Sequence, residues 1–437
     1  MKKSEFKRRR QQLMQTMGEN SIAIIPCADE QQRNRDVSHR YRQDSDFYYL
    51  TGFNEANSIA VLIPERKAAD YILFCPEKDK TKTLWDGEVA GQEGAVNDFG
   101  AADSFPTADL SDILPGLIEQ CDKVFYAMGC NAKLDHLIPE WMNKIRQQSR
   151  QGIHGPTEII ALDHYLSDMR LYKSAAELHA LREAIDISSK GHIKLMQVCE
   201  AGINERELEA QFIYHCFIYG TREQAYPSIV GSGKNACTLH YIDNKDICEE
   251  GDLVLIDAGC EVDLYASDIT RTFPVNGVFS TPQKQIYELV LRAQEAAINE
   301  VKPGNHWNQP HEAATKVIVE GLIALKLLKG TIISNIEKET YKKFFPHRTG
   351  HWLGMDVHDV GDYKAEGEWR VFEEDMVLTV EPGIYIPETK GVAKKWWNIG
   401  VRIEDDILVT KAGHEVLSAN CPKTVKEIEE IMANGKH

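Results

Sequence analysis

The sequence contains no hydrophobic run long enough to cross a membrane. Its longest apolar stretches, such as residues 253–256, have the length of a β-strand, whereas a membrane-spanning helix needs about 20 apolar residues. An export signal is also missing, because the basic start MKKSEFKRRR is followed by the polar run QQLMQTMGEN rather than by an apolar segment. We therefore expect a cytoplasmic protein that does not bind membranes.

An excess of positive charge is absent as well, since 50 lysines and arginines face 67 aspartates and glutamates, for a net charge of −17. Such a chain repels phosphate backbones, so nucleic acid is not an expected partner. No two of the ten cysteines have the C-x-x-C spacing. In a chain without an export signal, scattered cysteines are expected to be buried reduced thiols, which argues against a disulfide framework or a cysteine-ligated zinc ion.

The signatures of several catalytic classes are missing too. There is no G-x-x-x-x-G-K-[ST] phosphate loop. Ser232 lies in Val-Gly-Ser-Gly rather than in the G-x-S-x-G turn of serine hydrolases. No cysteine is paired with a histidine in a recognisable order, so a serine or cysteine nucleophile is not expected.

The chain of 437 residues is long enough for two or three domains. Up to residue 171, short apolar runs alternate with helical stretches, which predicts an α/β domain. A segment rich in glycine, proline and polar residues, 149–156, marks the predicted linker. From 172 to 437, two helix pairs are each followed by strand-like sequence, which predicts an internal repeat of two α-α-β units with the site between the halves.

Four acidic residues accompany apolar strands in the second domain. Asp257 ends the run 253–256, and a turn within residues 259–263 would bring Asp268 back beside it as a hairpin. Glu381 follows the run 377–380, and Glu404 lies on another strand with Arg402 on the same face. Each acid by itself has an ordinary explanation as a turn or surface residue, so only their convergence would indicate a site.

Electrostatics favours a metal centre if these acids converge. Four carboxylates buried together are costly unless they are protonated or neutralised, and two divalent cations supply the matching charge. A histidine-rich run, His347 to His358, supplies nitrogen ligands. The hard oxygen ligands favour two manganese ions over cobalt or zinc, and a hydroxide between two such ions is a nucleophile near neutral pH.

The motifs of the second domain resemble those of the pita-bread metallopeptidases, and among these most closely the Xaa-Pro aminopeptidase (aminopeptidase P) family. The segment that begins at Tyr41 similarly resembles the amino-terminal domain of that family, so the resemblance covers nearly the whole chain. It implies an α/β N-terminal domain and an α+β pita-bread catalytic domain with a pseudo-twofold repeat. The motifs that carry it are Ile229-Val-Gly-Ser-Gly, Leu239-His240-Tyr, Gly251-Asp-Leu-Val-Leu-Ile-Asp257-Ala-Gly-Cys, Asp268-Ile-Thr-Arg-Thr-Phe-Pro, His351-Trp-Leu-Gly-Met-Asp-Val-His358-Asp-Val-Gly, Leu378-Thr-Val-Glu381-Pro-Gly-Ile-Tyr385 and Gly400-Val-Arg402-Ile-Glu404-Asp-Asp.

The resemblance assigns the metal ligands residue by residue. Asp257 would chelate one ion, Asp268 and Glu404 would bridge both, and His351 and Glu381 would complete the second. Glu381 would also move the proton from the attacking water to the departing proline nitrogen.

Further residues would support catalysis around these ligands. His358 and His240 match histidines that contact the substrate and stabilise the tetrahedral intermediate. His347, Tyr385 and Arg402 would form the supporting layer, and the charge of Arg402 would offset the residual negative charge.

Four more residues match family positions near the substrate, some of them supplied by a neighbouring subunit: Asp36, Trp85, Arg150 and Arg370. A surface or core role is the alternative for each. The resemblance also implies a homo-oligomer, either a dimer or a tetramer.

The implied function is hydrolysis of the N-terminal Xaa-Pro bond of peptides by a metal-bridging hydroxide. The alternatives are an Xaa-Pro dipeptidase with the same ligands, and a non-catalytic peptide-binding relative. Two features depart from the family pattern. The segment 226–231 is shorter than usual, which puts the preferred N-terminal residue in doubt, and Arg348 stands where the family often has a small residue.

Overall fold

The computed structural model describes residues 1–435. It divides into two compact units, Met1–Met169 and Arg170–His437. The boundary after residue 171 that the sequence indicates remains a prediction. Among the described residues, no helix combines the length and the apolar character that crossing a bilayer would require. Eight of the ten cysteines are buried, while Cys237 is partly buried and Cys130 is exposed.

The N-terminal unit is built on a mixed six-stranded sheet with the strand order β6-β5-β4-β1-β7-β8. Strand β1 pairs antiparallel with β4 and parallel with β7, so it lies at the centre and is buried almost throughout. The strands are β1 (Ser21–Pro26), β2 (Gln32–Asn34), β3 (Val37–Ser38), β4 (Ile59–Leu62), β5 (Tyr71–Cys75), β6 (Asp103–Pro106), β7 (Lys123–Phe125) and β8 (Glu158–Ile160).

Helices accompany this sheet along the chain, as the sequence predicts for an α/β domain. In the last long helix before the linker, Leu134, Ile138, Trp141 and Ile145 recur at helical spacing and are buried in the core of this unit. The helices are α1 (Lys3–Met17), α2 (Ser45–Thr51), α3 (Lys80–Asp86), α4 (Gly91–Asn97), α5 (Leu110–Ile118), α6 (Ala132–Arg146) and α7 (Leu162–Leu171).

In the second unit, two helix pairs are each followed by a three-stranded sheet, which is the predicted α-α-β repeat. The helices are α8 (Ala175–Val198), α9 (Glu205–Ile218), α10 (Thr281–Ile298), α11 (Gln309–Ala324), α12 (Ile332–Glu337) and α13 (Val425–Asn434). The first pair precedes the sheet β13-β10-β9 and the second pair precedes the sheet β16-β19-β20. The strands are β9 (Ile229–Ser232), β10 (Leu253–Asp257), β11 (Glu261–Val262), β12 (Tyr265–Ala266), β13 (Thr270–Pro274), β14 (Lys364–Ala365), β15 (Glu368–Trp369), β16 (Val377–Val380), β17 (Gly383–Ile386), β18 (Ile399–Arg402), β19 (Asp405–Thr410) and β20 (Gly413–Val416).

Capping residues fix where the helices of the repeat begin. The sequence Ser174-Ala-Ala-Glu177 predicts a capping box, and Ser174 and Glu177 form it at the start of α8. For α10 the sequence predicts Thr281 as the cap, but the cap is Ser280, whose backbone N–H and hydroxyl both donate to the side chain of Gln283. Thr281 is therefore the first helical residue.

Candidate active site

The hairpin formed by β10 and β13 brings the first two acids together. The strands pair antiparallel with Asp257 opposite Thr270, so Asp268 lies just before the return strand. The sequence predicts the turn within residues 259–263, and the tight turn lies at the end of that range, at Asp263 and Leu264. Their φ angles of 51° and 64° suit a two-residue hairpin loop. The two segments that flank this turn approach each other closely. A Cβ atom on Gly259 would lie 1.8 Å from the carbonyl oxygen of Ser267, so only glycine fits there.

Tyr226 joins these two acids, although it was not among the predicted site residues. Its hydroxyl oxygen lies 2.6 Å from Asp257 Oδ1 and 2.5 Å from Asp268 Oδ1. A hydroxyl has one proton and can donate it to only one carboxylate at a time. The other contact therefore favours either a protonated acid or a cation that both carboxylates share.

The other two acids come from the second half of the repeat. Glu381 follows β16, and Glu404 lies between β18 and β19 rather than within a strand as predicted. Both nevertheless face the same cavity as Arg402. The Thr270 hydroxyl donates to Glu404 Oε2 over 2.6 Å, which links the second half to the hairpin of the first.

His351 completes the cluster. Its Nε2 lies 3.3 Å from Asp268 Oδ2 and 3.8 Å from Glu381 Oε1. Its Nδ1 lies 2.9 Å from the Trp352 carbonyl oxygen, which can only accept, so Nδ1 carries the proton and Nε2 faces the acids. Ligating atoms of Asp268, His351 and Glu404 all lie within 4.8 Å of one another, which is compatible with a shared metal ion.

The electrostatics of the cluster fits bound cations. Burial raises the pKa of Asp268, Glu381 and Glu404, and repulsion among the carboxylates adds to it; the pKa of Glu381 reaches about 7. Burial by itself would lower the pKa of His351, but its hydrogen bond to Asp268 and the nearby acids raise it to about 9. Without cations the cluster therefore takes up protons, and metal ions would compete with those protons for the same atoms.

A layer of hydrogen bonds fixes the ligands from behind. Arg402 donates from Nη2 to Asp257 Oδ2 over 2.6 Å, from Nη1 to the Tyr385 hydroxyl over 3.0 Å and from Nε to Thr270 Oγ1 over 3.1 Å. His347 Nε2 lies 2.9 Å from the same Tyr385 hydroxyl. His347, Tyr385 and Arg402 thus stand beside the acids, where the sequence predicts supporting residues.

All five predicted metal ligands line one cavity of about 480 Å³, and the two predicted catalytic histidines line it too. The rings of His351 and His358 are 4.2 Å apart, centroid to centroid. His240 projects from the segment that also carries Leu239 and Ile242, whose apolar side chains form part of the wall. The cavity is therefore lined by acidic groups, by apolar side chains and by the imidazoles of four histidines, including His347.

The four predicted substrate residues are not among those that line this cavity. Asp36, Trp85 and Arg150 are exposed on the N-terminal unit, with 80 % of Trp85 accessible. In the second unit, Arg370 donates a hydrogen bond from Nη2 to the Tyr172 hydroxyl over 3.3 Å. It is not among the residues that line the cavity described above. The role of these four residues in substrate binding stays a prediction.

Replacing Tyr226 by phenylalanine should weaken metal binding about tenfold or more, because hydrogen bonds behind metal ligands typically contribute that much to affinity. Metal titration by calorimetry measures it. The exposed Tyr214 of α9 offers a matched control, and Tyr214→Phe should leave the affinity unchanged. Equal affinities for Tyr226→Phe and the unaltered protein would contradict a supporting role for this hydroxyl.

Comparison with known proteins identifies the class of fold and site. Residues 179–411 match the model for metallopeptidase family M24, and residues 6–126 match the aminopeptidase P N-terminal domain. The chain belongs to metallopeptidase family M24. This confirms the predicted fold class, an α/β N-terminal domain followed by a pita-bread domain.

Individual relatives point to one branch of the family. The Xaa-Pro aminopeptidase of Escherichia coli (strain K12) is 40% identical over 98% of both chains, and that of Haemophilus influenzae is 39% identical over 98% of this chain and 97% of its own. The solved structure of Pseudomonas aeruginosa aminopeptidase PepP is 55% identical, with a TM-score of 0.98 over 100% of this chain and 99% of its own. The resemblance stated from the motifs is thereby confirmed.

Proposed function

We propose that this protein is an Xaa-Pro aminopeptidase, which hydrolyses the bond between the N-terminal residue of a peptide and a following proline. The observation that carries the proposal is the convergence of Asp257, Asp268, His351, Glu381 and Glu404 on one cavity. We propose these five as ligands of two divalent ions, and manganese as the metal because the donors are mostly hard oxygens. We also propose that the protein is cytoplasmic, and that it is a homo-oligomer, a dimer or a tetramer, as the family resemblance implies.

The donor set fits two cations, since two divalent ions supply four positive charges to four carboxylates. Arg402, which is paired with Asp257, would offset the further negative charge of a bound hydroxide. Bound there, the ions would supply a water of lowered pKa and polarise the peptide carbonyl. Thr270, Tyr226 and Arg402 hold the carboxylates in fixed orientations, so little reorganisation is needed when charge develops in the transition state.

Glu381 is the residue we propose to carry the proton. One of its oxygens faces His351 and the other lies 4.0 Å from His347 Nδ1, so it stands at the edge of the cluster beside the cavity. It would accept the proton of the attacking water and deliver it to the nitrogen of the departing proline.

The two histidines are proposed to act on the carbonyl oxygen. Burial lowers the pKa of His358, which favours the neutral ring with its one N–H donor. Such a donor, together with His240, which lines the same cavity, would stabilise the oxyanion that forms at this oxygen. Pro227, Ile229 and Val357 offer no side-chain hydrogen bond to the second residue, which suits proline because it has no amide N–H.

Peptide hydrolysis tests the proposal directly. A tripeptide with proline second should be cleaved about a hundredfold faster than the same peptide with alanine second, and chelation should abolish the activity until metal is restored. Equal rates on both peptides would remove the proline claim. Cleavage of dipeptides but not of tripeptides would instead indicate an Xaa-Pro dipeptidase, and metal-loaded protein that cleaves neither would indicate a binding relative.

A further inference from the structure

Two guanidinium groups line the cavity, and only one of them is paired with an acid. Arg402 is buried and bonded to Asp257, Tyr385 and Thr270. Arg348 is exposed, and no carboxylate of the described residues forms an ion pair with it. Within residues 1–435, the guanidinium donates one hydrogen bond, from Nη2 to Asn308 Oδ1, so most of its N–H donors remain available to a ligand in the cavity.

The Arg348 side chain is held in place. Its guanidinium carbon lies 5.3 Å from the centre of the Trp369 ring, within the range of a cation–π contact. Asn308 donates from Nδ2 to Glu312 Oε1 over 2.5 Å, which fixes its amide so that Oδ1 faces the arginine. The Asn308 amide thus lies between Glu312 and Arg348, so the carboxylate of Glu312 does not pair directly with the guanidinium. A guanidinium positioned in advance loses little conformational entropy on binding.

The sign of this charge orients a peptide in the cavity. The α-amino group of a peptide substrate is largely protonated near neutral pH, and the positive Arg348 repels it. The N-terminal residue must therefore lie away from Arg348, and the part of the peptide after the scissile bond lies toward it. A guanidinium is well suited to bind a carboxylate through two parallel hydrogen bonds.

We propose that Arg348 binds a carboxylate on the part of the substrate that follows proline, and that it makes the enzyme favour acidic peptides there. The inference rests on the proposed Xaa-Pro aminopeptidase function and adds a substrate class to it. The carboxylate has two possible sources, the C-terminus of a short peptide and an aspartate or glutamate side chain in a longer one.

Matched peptides separate these sources. We would measure kcat and KM of the metal-loaded enzyme on Ala-Pro-Ala and its C-terminal amide, and on amidated Ala-Pro-Glu and Ala-Pro-Gln. In at least one of the two pairs, the peptide that carries the carboxylate should have a kcat/KM on the order of tenfold higher than the peptide without it. The difference should lie mainly in KM, because the Arg348 guanidinium contacts Asn308 and Trp369 rather than the proposed metal ligands.

Three variants assign this preference to the residue. In Arg348→Gln the acid-to-neutral ratio should fall to about one, whereas Arg348→Lys should keep part of it because the charge remains. Arg292 is an exposed arginine on α10, and Arg292→Gln is the matched control that should keep the full ratio. Circular dichroism and thermal unfolding of each variant show that a lost ratio does not come from misfolding.

The outcomes are distinct. Equal kcat/KM within both pairs, or an acid preference that survives in Arg348→Gln, would overturn the inference while leaving proline-specific cleavage intact. If the enzyme cleaves none of the peptides, the proposed function fails. The affinities of amidated Pro-Glu and Pro-Gln for the metal-loaded protein and Arg348→Gln, measured by calorimetry, then still decide whether Arg348 selects a carboxylate.

Discussion

Asp268→Asn is expected to abolish stable metal binding and to lower kcat/KM by at least about a thousandfold, the largest effect that we predict. Asp268 uses both of its carboxylate oxygens within the cluster: Oδ1 contacts the Tyr226 hydroxyl and Oδ2 faces His351 Nε2. An amide keeps the shape of the side chain but cannot neutralise a cation. Metal content by elemental analysis and hydrolysis of an Xaa-Pro peptide check the prediction.

The same variant should not be destabilised when metal is absent. Burial and the neighbouring Asp257 raise the pKa of Asp268, and the hydrogen bond to His351 offsets only part of this rise. A neutral amide at this position therefore removes the cost of burying a charge. The matched control is Asp263→Asn in the turn of the same hairpin, where φ is 51° and asparagine is well tolerated. It should retain metal and activity. Full activity and full metal content in Asp268→Asn would rule out the proposed centre.

Asp405→Asn is expected to lower the free energy of unfolding by about 3–5 kcal/mol, because it leaves the fully buried Arg271 and the partly buried Lys423 without their anionic partner. Arg271 and Asp405 are both fully buried, with Nη2 and Oδ1 2.7 Å apart, and Lys423 Nζ lies 2.5 Å from Oδ2. Burial by itself would raise the pKa of Asp405, but Arg271 and Lys423 hold it well below its usual range. The carboxylate therefore stays charged and paired throughout the ordinary pH range.

Urea unfolding of the metal-free protein, followed by tryptophan fluorescence, measures this loss without a contribution from bound ions. The exposed pair Lys245–Asp243, with its atoms 2.7 Å apart and both side chains 61% accessible, provides the comparison. Asp243→Asn should change stability by less than about 1 kcal/mol because solvent screens the pair. Similar losses for the two variants would contradict the difference that burial is expected to make.

The hairpin of Asp257 and Asp268 could be predicted because its information is local. An apolar strand, a turn and a return strand follow one another within about twenty residues, and alternation fixes which side chains share a face. The exact turn differed, since Asp263 and Leu264 adopt positive φ angles that their residue types do not demand. The capping residue of α10 differed for a similar reason, because neighbouring Ser280 and Thr281 are both competent caps.

Tyr226 and the Arg271–Asp405 pair could not be predicted in this way. Tyr226 lies in a segment that stood out only as a departure from the family pattern, and its contacts reach residues 31 and 42 positions away. Arg271 and Asp405 are 134 positions apart. No periodicity or spacing in the sequence connects such residues. An arginine or aspartate taken by itself is expected on the surface, so the sequence does not indicate a buried pair.

The amino-acid sequence by itself determined the strands and helices, the acids that end them and the family, because hydrophobic periodicity, caps and motifs are carried by neighbouring residues. Only the tertiary structure decided which hydroxyl bridges the acids, which charges are buried as a pair and which arginine lines the cavity without an ion pair among the described residues. These are properties of distance and burial, and they arise when segments remote in the chain pack against one another and exclude water.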